Sequence, residues 1–194
     1  MSPAELHQRL AALTVQLAGR PLDAGPDTCV NAAHGPASAT GLGLKPTCVD
    51  GVAEGWVCNR DGRSMRHRCL FKPAPEPQDF SVDVAELQDV ADPCHTHPDG
   101  KFDLTMPREG EAALDGRTQG WRVCPPGSAH RPTVASGRAL VFRLLPEGRI
   151  DSSRVGPTPY TPSARSSPGH EGRRVALGDQ AASDGRARPG RAAC

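Results

Sequence analysis

Between Met65 and Leu145 the chain is cut into six short segments of strand character, 65–71, 80–84, 93–97, 101–105, 120–124 and 139–145, each bounded by Gly, Pro, Asn or Asp. Runs this short, punctuated this often by turn formers, are the habit of a small all-β sandwich or barrel. The last segment, Ala139-Leu140-Val141-Phe142-Arg143-Leu144-Leu145, is nearly continuous apolar, as a strand covered on both faces requires, with Arg143 the exception. Helices come first. Ser2-Pro3-Ala4-Glu5 offers an N-cap, a first-turn proline and a glutamate at the third helical position, after which Leu6, Leu10, Leu13 and Leu17 recur at helical spacing. An amphipathic helix over 3–18 follows, ended at Gly19, with its leucine stripe docked on the rest of the protein. Residues 21–46, rich in Gly, Ala and Pro, read as a loop with one short helix over 37–44 and His34 at its surface. A second helix over 47–54 runs into an entering strand at 55–58 and a turn at 59–63. The chain thus divides into a helical segment over 1–55, a β-barrel over 56–150 and a tail over 151–194. That tail, dense in Ser, Pro, Gly, Ala and Arg, cannot bury enough apolar surface to order itself.

Charge narrows the partners. The 23 basic and 22 acidic residues leave a formal charge of +1, which supplies no net pull toward nucleic acid or an anionic membrane surface. No apolar run approaches the ~20 residues that span a bilayer, and the N-terminus lacks a basic segment followed by an apolar one, so the expected address is the cytoplasm. The seven cysteines form no Cys-x-x-Cys pair, which points to free thiols rather than a disulfide framework or a zinc ribbon.

Three histidines carry the chemistry. His95 and His97 flank Thr96, and side chains two apart on a strand share a face. His130 follows a Pro125-x-Gly127 turn that lets the chain reverse and deliver a third imidazole beside them. These segments resemble the two cupin motifs, His-x-His with a following Glu and Gly, then Pro-x-Gly-x-x-His. The resemblance implies a mainly β fold, a cupin-like small β-barrel of jelly-roll type preceded by N-terminal helices. Gly116 and the second motif fit, but Lys101 stands at or beside the usual Glu position, and an ammonium has no lone pair to offer a cation. Asp103 keeps the strand parity of His95 and His97 and is the expected substitute. The expected ligand set for a divalent transition metal is therefore His95, His97, His130 and Asp103.

Asp99 to Pro107, Gly120-Trp121-Arg122-Val123, Gly127-Ser128-Ala129-His130-Arg131-Pro132-Thr133-Val134 and Gly137 to Pro146 together resemble the bacterial 4-hydroxylaminobenzoate lyase family, over roughly residues 5 to 150. The resemblance implies conversion of 4-hydroxylaminobenzoate to protocatechuate and ammonia in 4-nitrobenzoate degradation. That reaction consumes no electrons and needs neither nicotinamide nor flavin, in keeping with a sequence that lacks Gly-x-Gly-x-x-Gly. His95, His97 and His130 are then the catalytic histidines, working through a metal or as proton shuttles. The substrate, a small aromatic acid, wants a guanidinium for its carboxylate, and Arg131, Arg143 and Arg66 are the candidates. Trp121 and Phe142 either stack on the ring or pack the core. Cupin barrels often pair, so a homodimer is expected from the resemblance. Two other readings share the motifs: a metal- or ligand-binding cupin without catalysis, and a cupin dioxygenase acting on an aromatic substrate.

Overall fold

The computed structural model describes residues 2–20, 22, 26–62 and 65–152. Helix α1 (Pro3–Leu17) begins as the sequence predicts: Ser2 accepts from the Glu5 amide and the Glu5 carboxylate reaches back to the Ser2 amide. Leu6, Leu10, Leu13 and Leu17 are all buried, each worth about 1.5–3 kcal/mol of apolar burial. Two helices depart from expectation. Helix α2 (Pro26–His34) occupies what reads as a loop, and α3 (Ala39–Ala53) runs unbroken through Pro46 where two short helices are predicted. Burial of Leu44 and Cys48 against the core outweighs the interruption. Residues 55–58 form a turn and bends rather than a strand, and Val57 and Cys58 within them are buried.

The β portion begins with β1 (Arg60–Asp61), β2 (Met65–Phe71), β3 (Phe80–Ala91) and β4 (His95–His97). It continues with β5 (Lys101–Leu114), β6 (Gly120–Cys124), β7 (Ser128–His130) and β8 (Thr133–Pro146). Six strands form one antiparallel sheet in the order β1-β2-β3-β8-β5-β6, and β4 pairs with β7 in a second. The fold is mainly β, as expected, though β3, β5 and β8 are far longer than their apolar runs, because polar residues continue the pairing past the core.

Parity assigns the two faces of the large sheet. Phe80, Val82 and Val84 of β3, Phe102, Leu104 and Met106 of β5, Trp121 of β6, and Leu140, Phe142 and Leu144 of β8 join the helix leucines in one core. The opposite face carries Lys101, Asp103 and Thr105 of β5 and Arg143 of β8, all buried, with Asp103 directly across from Arg143. The β4–β7 pair lies over this polar face, and further along a smaller apolar cluster of Ala85, Leu87, Ala112, Leu114, Val134, Ala139 and Val141 fills it. One sheet thus separates a dry helix-facing core from a polar interior.

Helix α2 guards the outer edge of β6. The Asn31 side-chain amide donates to the Trp121 carbonyl (2.8 Å), its oxygen accepts from the Trp121 amide (2.7 Å), and Asp27 accepts from the Val123 amide (2.6 Å). These contacts satisfy backbone groups that an open edge would leave exposed. His34, predicted at the surface, is buried, and its carbonyl accepts from Trp121 Nε1. At the other end, Asp151 exchanges both backbone hydrogen bonds with Thr96 (2.8 and 2.9 Å), so the structure extends past the predicted boundary at 150; residues 153–194 of the expected tail lie outside the described residues. Cys29, Cys48, Cys58, Cys69, Cys94 and Cys124 are free. No described helix is long and apolar enough to cross a membrane.

Candidate active site

Antiparallel pairing of β4 with β7 sets His95 directly opposite His130. Two turns hold that register. Gly127, at φ 75°, donates its amide to the His97 carbonyl (2.8 Å) and so ties the Pro125-x-Gly127 turn to β4. Gly100, at φ 76°, lets the chain turn from β4 into β5, and a Cβ there would meet the Cys124 carbonyl at 2.5 Å. The three imidazoles converge as the motif spacing predicts, with ring centroids 4.7 to 5.3 Å apart. His97 Nε2 stands 3.3 Å from His130 Nε2.

The partners of His130 assign its proton. Nδ1 lies 2.9 Å from Asp115 Oδ2, and a carboxylate only accepts, so Nδ1 carries the hydrogen. Nε2 then presents a lone pair, which Lys101 Nζ meets at 2.7 Å. Lys101 in turn forms an ion pair with Asp103, and both side chains are only 1% exposed. A continuous chain therefore runs from the partly buried Asp115 and His130 to the fully buried Lys101 and Asp103. Arg122 Nη1 (2.6 Å) and the Thr133 amide (2.9 Å) hold the Asp115 carboxylate from outside.

Burial sets the charge states. It pushes His97 down to about 2, with the Lys101 ammonium reinforcing the shift, and His95 down to about 4, with His130, Arg143 and Lys101 adding to it. Both imidazoles are neutral at pH 7. His130 is also lowered by burial, against the opposing pull of Asp115. Burial alone would raise the Asp103 carboxyl, but Lys101 and Arg143 hold it below the ordinary carboxylate range, while burial lowers Lys101 itself against the opposing pull of Asp103. His95 Nδ1 lies 3.2 Å from the Pro93 carbonyl, which leaves Nε2 facing the cluster without a partner; His97 Nδ1 is likewise buried and unpartnered.

His95, His97 and His130 form a group that could hold a metal ion, their candidate ligand atoms lying within 4.8 Å of one another. Two features oppose it. Asp103, the expected fourth ligand, faces the same interior but lies outside the group, its carboxylate ion-paired with Lys101. The ammonium also stands on the one lone pair His130 can offer. An ion held by the three imidazoles would have to displace the Lys101 ammonium from His130 Nε2.

The candidate arginines separate. Arg143 is buried on the polar face, its Nε 3.9 Å from Asp103 Oδ1, while Nε and Nη2 make no hydrogen bond. Arg131 is half-buried in the link between β7 and β8. Arg66 does not reach the site: it sits across from Glu86, which shares the parity of Val82 and Val84 on the helix-facing side, and it pairs with Glu86 and Asp61. Trp121 is also on that side, edge-on to Phe142 and across from Leu104, so it packs the core instead of meeting a ligand. Asp115 and Arg122 carry no local signal; Asp115 occupies a turn position at φ 50° and reaches His130 only through tertiary structure.

Residues 8–152 match the family model described as PnbB, 4-hydroxylaminobenzoate lyase. A protein of Pseudomonas putida named 4-hydroxylaminobenzoate lyase is 31% identical over 138 residues, covering 62% of this chain and 78% of the relative. Among solved structures, the polyketide cyclase RemF of Streptomyces resistomycificus aligns with TM-score 0.35 and 18% identity, over 48% of this chain and 74% of that one. A cupin-like protein of unknown function from Ralstonia eutropha aligns with TM-score 0.33 and 19% identity, over 42% and 55%.

Proposed function

The chain belongs to the 4-hydroxylaminobenzoate lyase family, and on that premise we propose that it converts 4-hydroxylaminobenzoate and water to protocatechuate and ammonia, a step in nitrobenzoate catabolism. One observation carries the reading: a buried ammonium, Lys101, set among neutral imidazoles in an interior that also holds an arginine with unused donors. The net reaction passes no electrons to an external carrier. It asks only that protons and water be moved about a fixed ring.

The N–O bond breaks with its electron pair on oxygen, and Lys101 Nζ gives that oxygen a proton so that it departs as water. A second water adds to the ring carbon beside the one bearing nitrogen. A third adds to the resulting imine carbon, ammonia leaves, and loss of the ring proton restores the aromatic system. Two waters enter and one departs, so one is consumed for each ammonia released, and a proton shed on addition returns to Lys101. His95 Nε2 and His97 Nδ1, neutral and unpartnered, accept hydrogen bonds from the attacking waters and take up their protons. Asp115 keeps His130 Nε2 turned to Lys101. The free donors of Arg143 receive the substrate carboxylate as a charge-assisted pair, with Arg131 nearer the surface.

Purified protein given 4-hydroxylaminobenzoate is expected to release protocatechuate and ammonia in equal amounts, followed by chromatography and a colorimetric assay. A folded protein that forms neither, or that forms 4-amino-3-hydroxybenzoate instead, overturns the proposal.

A further inference from the structure

We propose that the Lys101 ammonium is the resident cation of the histidine cluster and keeps divalent metal out of it. His130 has both ring nitrogens engaged. Its Nδ1 is committed to Asp115 at 2.9 Å, which leaves only Nε2 for a metal, and Lys101 Nζ already stands 2.7 Å from that atom. Lys101 cannot drift away into solvent, because its side chain is 1% exposed and ion-paired with an equally buried Asp103. The two residues lie two apart on β5, so the strand aims both into the same interior. An ion bound by the three imidazoles would therefore sit beside an ammonium in a water-poor interior, where like charges repel most strongly. The carboxylate nearest the cluster on this face, Asp103, is ion-paired with Lys101 and lies outside the group of potential ligands. Arg143, with Nε 3.9 Å from Asp103, adds a second fixed positive charge on the same face. The cation a histidine cluster of this geometry would otherwise recruit is thus supplied covalently by the chain.

The inference rests on the lyase reading for its consequence, that turnover needs no metal, but metal binding is measured apart from activity. Full-length protein purified without chelator or immobilised metal is analysed for bound metal by mass spectrometry. It is then titrated with Co2+ and followed by the visible absorption of the histidine-bound ion, beside Lys101→Gln, which removes the charge. The wild type is expected to hold no stoichiometric metal, and Lys101→Gln to bind Co2+ about 10- to 100-fold more tightly, the scale on which groups surrounding a metal tune its affinity. Stoichiometric metal in the wild type that His97→Gln abolishes overturns the proposal, as does equal Co2+ affinity in wild type and Lys101→Gln. If Lys101→Gln does not fold, the wild-type metal content decides alone. Turnover in excess chelator is scored separately: a metal-free protein without turnover sinks the lyase reading and leaves the inference standing, whereas a metal-bearing protein with turnover does the reverse.

Discussion

Acid should destabilise this protein well above the pH at which ordinary carboxylates titrate. In the folded chain His95 and His97 gain a proton only near about 4 and about 2, because burial disfavours the charged imidazole; in the unfolded chain both do so near 6.5. A depressed histidine makes the fold most stable above the unfolded value, and that stability is lost as pH falls from about 6.5 toward the folded value, since the unfolded state then binds more protons. At pH 5 each histidine costs the fold about 2 kcal/mol relative to pH 7, roughly 4 kcal/mol for the pair. Against a total stability on the order of 5–15 kcal/mol, that is a large share. His130, lowered in the same direction, adds to the effect. Asp103 and Asp115 are held below the ordinary carboxylate range and lose their contribution only at lower pH, so the window from 7 to 5 belongs to the histidines. Urea unfolding at pH 7, 6 and 5, read by tryptophan fluorescence, checks this. His97→Gln should remove roughly half of the pH dependence, and an unfolding midpoint unchanged or raised at pH 5 refutes the account of neutral buried imidazoles.

Three substitutions probe the rest of the site. Arg143→Met should reduce kcat/KM for 4-hydroxylaminobenzoate by roughly 10- to 100-fold, the value of a charge-assisted hydrogen bond of about 1.5–3 kcal/mol; activity on hydroxylaminobenzene, which lacks the carboxylate, should change little, and equal loss on both substrates would remove Arg143 from carboxylate binding. Asp115→Asn should lower kcat by about 10- to 100-fold with KM nearly unchanged, because it releases His130 from its partner without touching the ring's binding groups; a rise in KM alone would contradict this. Trp121→Phe should cost about 1–3 kcal/mol of stability by leaving the buried His34 carbonyl without its donor, while kcat stays unchanged; a selective loss of kcat would return Trp121 to the site.

Local pattern made the first helix and the meeting of the histidines legible. The leucine stripe of α1 and the strand parity of His95 and His97 are periodicities that tertiary structure has no reason to override. Arg143 announced itself as the one charge in an apolar strand, and its burial on the polar face is the reason it is there. What could not be read was which side of a strand meets which neighbour. Trp121 and Arg66 looked available until register assigned them to the helix-facing side. Asp103 does face the interior of the histidines, but sequence does not show that Lys101, two residues before it on the same face, takes its carboxylate. Asp115 and the edge contacts of Asp27 and Asn31 join residues far apart in the chain, so no window of sequence contains both partners. Lys101 read as a flaw in a ligand motif because sequence shows what a residue cannot ligate, not what it replaces.

The most direct test of hydrolytic lyase chemistry in this interior is the origin of the two ring oxygens. Turnover of 4-hydroxylaminobenzoate in water enriched in oxygen-18, with the product examined by mass spectrometry, should give protocatechuate carrying two solvent oxygens beside an equal amount of ammonia. Ring oxygen drawn from dioxygen, or a product with one solvent oxygen and the original hydroxyl retained, would contradict the account.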